Sequence, residues 1–199
     1  LAVILQETKR LDRIVNQIID YARPREIGAV EFDMAQLVHE VMKVLDEPLT
    51  RKQVAISLSA PAAPYMVQAD RDQLKQVLLN ILQNAIEATP QGETITVALG
   101  EQARGIEPGL EITVTDRGSG ISPSHLPHVF EPFFTSGKPG GTGLGLAISR
   151  NILDAHGGDI ALNSKEGRGT TVRVWAPVRQ QPQRIQEEGD HAGHDLRYG

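Results

Sequence analysis

The sequence predicts an α+β domain, a two-layer sandwich with helices on one face of a mixed, mostly antiparallel sheet, preceded by one long helix. Three observations predict it. Residues 1–23 carry an unbroken helical pattern with no Gly or Pro before Pro24. Between residues 30 and 178 the hydrophobic spacing switches repeatedly between the helical and the strand period. The strands come in pairs joined by turn-rich links, "ETITVAL" with "LEITVTD" and "GDIALNS" with "TTVRVWA", as antiparallel neighbours do.

The elements follow in chain order. In residues 1–23, "LAVILQETKRLDRIVNQIIDYAR", Ile4, Leu11 and Ile18 recur every seventh position, joined by Ile14, Val15, Tyr21 and Ala22. This is an amphipathic helix with a coiled-coil-like seam, either packed on its own domain or forming half of a helical hairpin that pairs with another copy. Residues 24–29 read as a hinge, because Pro24 disfavours helix at the residue before it and Gly28 adds freedom. Residues 30–178 form the main domain: "VEFDMAQLVHEVMKVLDEPL" as a short strand and a helix, Gln53 to Ser59 as a strand, and Ala69 to Ala88 as a long helix capped by Asp70. The two hairpins follow, and a further helix opens at about Leu144. Residues 179–199 are polar, so they are expected to be disordered. His191 and His194, three apart there, suit incidental histidines of a solvated tail better than a metal site.

Composition narrows the function classes. At 199 residues and 40% hydrophobic content the chain can bury one good core plus something smaller. A net charge of −5 with scattered Lys and Arg offers no basic stripe, so nucleic acid is not an expected partner. Zero cysteines exclude disulfides and thiolate metal sites. No apolar run approaches the ~20 residues of a membrane span, and no signal-peptide pattern opens the sequence. The expectation is a cytoplasmic piece without direct membrane contact, whose parent protein can still be membrane-anchored.

Three constellations carry chemistry. In "QVLLNILQNAIEA", Asn80 and Asn84 sit four apart on one helix face among Val77, Leu78, Ile81 and Leu82. Asn is a weak helix former, so the pair reads either as Mg²⁺-facing oxygens beside nucleotide phosphates or as buried amides satisfied by backbone. In "TDRGSGI", Asp116 at a strand end with Gly118 and Gly120 reads as a turn, or as an acceptor for an exocyclic amine beside a flat base. In "GGTGLGLAISR", Gly140 to Arg150, four glycines precede a helix. Gly in an element interior costs roughly 0.5–1 kcal/mol relative to Ala, so the cluster implies close approach of backbone to a ligand. A helix N-terminus makes phosphate the first ligand to consider. Upstream lie Phe130, Phe133 and Phe134 and a glycine- and proline-rich segment suited to closing over a ligand. Neither the G-x-x-x-x-G-K-[ST] nor the G-x-G-x-x-G phosphate fingerprint is present.

In order, "NILQNA", "DRGSGI", "FEPFFT" and "GTGLGLA" resemble the N box, first glycine box, F box and second glycine box of sensor histidine kinases, with the Bergerat ATP-binding fold of the GHKL superfamily. The resemblance spans Val30 to Val178, and the preceding helix resembles the second helix of the kinase dimerization hairpin. "LLNILQNAIEATP" and "FFTSGKPGGTGLGLA" are most similar to the nitrogen-regulation type.

The resemblance implies that Asn84 ligates Mg²⁺ on the ATP phosphates, with Asn80 assisting. It implies that Asp116 recognises the adenine amino group, with Gly118, Gly120 and Thr170 around the base pocket, and Phe133 in the F box is a further candidate for nucleotide contact. Gly141, Thr142, Gly143, Leu144, Gly145 and Leu146 form the lid and helix start over the triphosphate, and Lys138 in the lid is a candidate for direct phosphate contact. The implied partners are a histidine-bearing dimerization hairpin, a response regulator receiver domain and a second copy of the parent in a homodimer.

Two departures bear on what the chain does. The family's phosphoacceptor lies in a motif like H-E-x-x-N-P on the first hairpin helix, and this sequence starts after that point. His39 in "LVHEVM" lacks the Asn-Pro, and His125, His128 and His156 carry no acceptor pattern either. The expectation is therefore a catalytic fragment whose acceptor histidine lies outside this chain. GHKL ATPases usually place a Glu one turn before the metal-binding Asn, and Asn80 stands there instead, which favours kinase over hydrolase. A GHKL-fold nucleotide-binding regulatory or ATPase module is the alternative.

Overall fold

The computed structural model describes residues 27–62, 64–135 and 141–178, and the isolated positions Thr8, Leu11, Val15, Ile18 and Ile19. Strand β1 (Ala29–Asp33) runs directly into helix α1 (Met34–Val44). Asp33 makes the junction, its Oδ1 accepting from the N–H of Ala35 at 3.0 Å and of Tyr65 at 2.9 Å. Helix α1 buries Met34, Leu37, Val38 and Val41, the i, i+3, i+4, i+7 spacing that gives it one apolar face.

Leu45 breaks the helix expected to run on from α1, leaving a separate short α2 (Asp46–Lys52). Gln53, expected to open a strand, closes α2 with φ 54° and ψ 44°. Its N–H is spent on the carbonyl of Thr50 at 3.1 Å, so strand β2 begins at Ala55 and ends at Ser59.

Strand β3 (Met66–Asp70) was not expected from the sequence. It pairs antiparallel with β1, Val30 opposite Ala69 and Phe32 opposite Val67. Ala69 and Asp70 belong to this ladder, so helix α3 (Arg71–Ala88) starts two residues later than the sequence suggested. Asp70 is its N-cap as expected, Oδ1 accepting from Gln73 N–H at 3.0 Å. Its Oδ2 accepts from the N–H of Gly28 at 3.1 Å, and Ala29 pairs opposite Asp70. The described end of the expected hinge is thus already part of the sheet.

The main sheet has the order β2-β4-β5-β7-β6, with β4 (Thr94–Glu101), β5 (Gly109–Thr115), β6 (Asp159–Lys165) and β7 (Gly169–Pro177). Only the β2–β4 pair is parallel, so the sheet is mixed and mostly antiparallel as the sequence predicted. Alternation buries one face: Ile95, Val97 and Leu99 on β4, and Leu110, Ile112 and Val114 on β5. Helices α1, α3 and α4 (Gly145–Ala155) cover that face, and their apolar residues join the sheet in one core. At the centre, Thr115 pairs with Thr171, which sets the end of β5 beside the start of β7.

Thr8, Leu11, Val15, Ile18 and Ile19 are helical and exposed. The rest of the expected long helix and the tail from residue 179 lie outside the described residues, as do His191 and His194. No helix among the described residues is long and apolar enough to cross a membrane.

Candidate functional site

A cavity of about 270 Å³ opens between α3, the ends of β5 and β7, and the segment leading into α4. Its α3 wall includes Asn80, Gln83, Asn84 and Glu87, which the helical period places on adjoining positions of one side. Val114, Leu162 and Val172 give it an apolar floor from the sheet.

Asp116 sits at the inner end. It is only 6% exposed, and its Oδ1 accepts from the N–H of Gly118 at 2.7 Å and of Thr170 at 3.2 Å. The hydrogen bond to Gly118 is the turn that the sequence alone suggested, and the same carboxylate lines the cavity beside Thr170. A buried carboxylate is held by such bonds because its desolvation is otherwise costly. Ser164 fastens the loop from the other side: its Oγ accepts from Ile121 N–H at 2.8 Å and donates to the carbonyl of Gly169 at 3.0 Å.

Gly120 lines the cavity with φ +65°, and a Cβ there would lie 2.1 Å from the carbonyl oxygen of Lys165. Gly118 does not line it. Its missing side chain makes room for the carbonyl of Ala88, 2.6 Å from where a Cβ would be, so this glycine seats the loop on the end of α3.

On the lid side, Gly141, Thr142, Gly143, Gly145 and Leu146 border the cavity. Leu144 does not; it is fully buried in the core as the residue preceding α4. The first N–H groups of α4 have no partner within the helix and carry its positive end, which suits an anion. Phe133, named from the sequence as a candidate for nucleotide contact, is 63% exposed with φ 65° and lies off the cavity. Its neighbour Phe134 lines the cavity instead, with its ring 5.6 Å from that of His125 and 5.8 Å from that of His128. Nothing in two adjacent phenylalanines tells them apart; the left-handed backbone at Phe133 does. Lys138, the candidate phosphate contact, lies outside the described residues.

The structure therefore brings Asn80, Asn84, Asp116, Gly120, Gly141, Thr142, Gly143, Gly145, Leu146 and Thr170 to one cavity. Sequence reading missed Gln83 and Glu87, although Glu87 is three residues after Asn84 and seven after Asn80, so helix arithmetic reaches it. Among the described lining residues the charged ones are Glu87 and Asp116, both acidic. No group of three or more His, Cys, Asp or Glu among the described residues could hold a metal ion. A cation here would rest on amide oxygens and on the ligand's own phosphates, the coordination that suits Mg²⁺.

Asn80 offers such an oxygen. Its Nδ2 donates to the carbonyl of Gly145 at 3.1 Å and to Ser149 Oγ at 3.3 Å, so the buried-amide reading describes its nitrogen. Its oxygen remains as the group for the cavity.

Residues 69–180 match the family described as histidine kinase-, DNA gyrase B- and HSP90-like ATPase. The chain is 36% identical over 184 residues to the sensor histidine kinase ZraS of Escherichia coli (strain K12), covering 91% of this chain and 38% of that protein. It thus spans under half the length of this curated relative. Full-length ShkA in complex with AMPPNP superposes with a TM-score of 0.76 at 25% identity, over 90% of this chain and 38% of that one. Histidine kinase ThkA in complex with response regulator protein TrrA gives 0.72 at 30% identity, over 88% and 49%.

Proposed function

We propose that this chain, which belongs to the histidine kinase-, DNA gyrase B- and HSP90-like ATPase family, is the ATP-binding catalytic module of a two-component sensor histidine kinase. The observation that carries transfer rather than hydrolysis is Asn80. One turn before Asn84, facing the cavity, stands a neutral amide tied to α4 and not a carboxylate able to activate water. ShkA was solved with an ATP analogue, and ZraS is named as a sensor histidine kinase, which supports the same reading.

In this reading Asp116 accepts a hydrogen bond from the adenine amino group, and Thr170 and Gly120 shape the wall beside it. The base lies on the apolar floor of Val114, Leu162 and Val172. Asn84 and the oxygen of Asn80 would hold Mg²⁺ beside the phosphates. When bound, Mg²⁺ neutralises charge on the phosphates and orients the transferred group. Gly141, Thr142 and Gly143 fold over the triphosphate, whose charge meets the N-terminus of α4. Lys138 in the same lid supplies a positive charge. These residues position ATP and exclude water; they form no covalent intermediate.

The acceptor is a histidine on a dimerization hairpin, since none of the six histidines here lies in an H-E-x-x-N-P stretch. Leu11, Val15, Ile18 and Ile19 are exposed apolar residues at helical spacing and would supply this chain's part of a homodimeric hairpin bundle. A response regulator receiver domain would take the phosphoryl group onward, in line with the ThkA–TrrA complex. The N-box stretch "LLNILQNAIEATP" and the lid stretch "FFTSGKPGGTGLGLA" favour the nitrogen-regulation type.

The test is transfer from γ-labelled ATP with Mg²⁺ to a separately supplied hairpin bearing the acceptor motif. Acid-labile label on the hairpin, and none on this chain alone, is the expected result. Release of inorganic phosphate without labelled hairpin would favour the ATPase alternative.

A further inference from the structure

We propose that Ser149, a residue outside the cavity, is the positioning residue that fixes the Asn80 amide with its oxygen toward the cavity. Binding of nucleotide as its Mg²⁺ complex depends on this hydroxyl. The inference rests on reading the cavity as a site for Mg²⁺-nucleotide.

Ser149 lies one turn into α4 and is fully buried. A buried hydroxyl needs partners. Its Oγ donates to the carbonyl of Gly145 at 2.9 Å and accepts from Asn80 Nδ2 at 3.3 Å. Asn80 Nδ2 also donates to that same carbonyl at 3.1 Å. The three groups form a closed triangle between α3 and the first turn of α4.

The triangle decides which way the amide faces. Nitrogen and oxygen of an Asn side chain are assigned by the hydrogen bonds they make. A carbonyl oxygen only accepts, so the amide atom against Gly145 must be the NH₂ group. Both of its protons are then committed to α4, and Oδ1 is what Asn80 presents to the cavity it lines. An oxygen there attracts a cation or a cation-bound water. The NH₂ group in the same place would repel the cation and attract phosphate directly, which would reverse the side chain's part in binding.

Without the Ser149 hydroxyl, one Asn80 proton loses its partner in a partly buried position. One hydrogen bond then remains to oppose rotation about the terminal side-chain bond, a torsion with broad wells. A Ser149→Ala substitution removes the hydroxyl without adding bulk.

The experiment measures nucleotide binding by calorimetry as a function of Mg²⁺, and separately the affinity for ADP in chelator. Ser149→Ala is expected to raise the Mg²⁺ concentration for half-maximal ATP binding by about fivefold to tenfold, the scale of one hydrogen bond. Metal-free ADP affinity should stay within about twofold of the parent. Weakening of both by the same factor, or of neither, would overturn the assignment, because a general packing defect does not select for metal.

Should Ser149→Ala not fold, side-chain NMR on the parent chain decides. The Asn80 NH₂ protons are expected to exchange slowly in the nucleotide-free protein, and Mg²⁺-ADP is expected to shift the Asn80 carbonyl carbon more than Nδ2. Freely exchanging NH₂ protons contradict the proposal. If the parent binds no nucleotide, the functional reading fails, while the exchange measurement still decides which way the amide is held.

Discussion

His156 accepts the backbone N–H of Asp70 through Nε2 at 3.1 Å, joining the last turn of the helix that starts at the lid to the cap of the helix that carries Asn80 and Asn84. The carbonyl of Ile152 accepts from Nδ1 at 2.7 Å, which assigns the proton to Nδ1 and leaves Nε2 as an acceptor. The ring is 2% exposed. Asp70 in turn holds Gly28 through its carboxylate. One buried imidazole therefore links α3, α4 and the segment entering the domain.

Replacing His156 by Phe keeps much of the ring volume and removes both hydrogen bonds, leaving the partly buried N–H of Asp70 without its imidazole acceptor. A loss of about 2–3 kcal/mol in unfolding free energy is expected. Urea denaturation checks it, and a change below about 0.5 kcal/mol would mean the link contributes nothing.

Gly143→Ala is expected to lower ATP affinity at least tenfold, on the order of 1.4 kcal/mol or more. Gly143 has φ +68°, and a Cβ there would sit 2.4 Å from the backbone of Phe133. Neither partner in that contact is a flexible side-chain end, so the lid itself must shift. Titration calorimetry with Mg²⁺-ATP measures the loss.

Glu40 reports on acid stability. Its hydrogen bond from Arg71, opposed by desolvation and aided by the charges of Arg71, Lys75 and Lys43, holds its carboxyl below the ordinary value of 4.5. A carboxylate whose pKa is lower when folded stabilises the protein above its unfolded pKa and loses that contribution as pH falls through the folded value. The parent chain should therefore exceed Glu40→Gln in stability at neutral pH, with the difference vanishing in acid. The pair is partly exposed, so the difference should be small and should shrink with salt.

Removing divalent metal should weaken ATP binding by about tenfold or more, and ADP binding less, since the described cavity lining carries no Lys or Arg to offset the phosphate charge. Calorimetry in chelator checks this. Equal affinity with and without Mg²⁺ would place the phosphate charge on the lid alone.

Much of this was legible in the sequence because it depends on local periodicity. The alternation in "TITVALGE" and "GLEITVT" fixed which residues of β4 and β5 face the helices. Asp70 was readable as a cap because capping acts within one turn. Strand β3 was not legible, for the five residues "MVQAD" pair with β1 residues that lie 33 to 41 positions earlier and gain their strand character from that partner. Phe133 and Phe134 could not be separated for a related reason: the left-handed backbone at Phe133 lies against Gly143, a contact between segments that the sequence does not show. Ser149 acts through a hydrogen bond from the distant Asn80 side chain and Ser164 through one from the distant N–H of Ile121, for which a lone serine gives no signal.

The most direct test of the account is the affinity of Mg²⁺-ATP and Mg²⁺-GTP for the parent chain and for Asp116→Asn, measured by calorimetry beside thermal melting. The Asn side chain keeps an acceptor oxygen for the N–H groups of Gly118 and Thr170, while its NH₂ group repels an adenine amine. The account predicts that the parent prefers ATP to GTP, and that Asp116→Asn melts close to the parent but binds ATP at least about tenfold more weakly. A folded Asp116→Asn variant that binds ATP as tightly as the parent would contradict it.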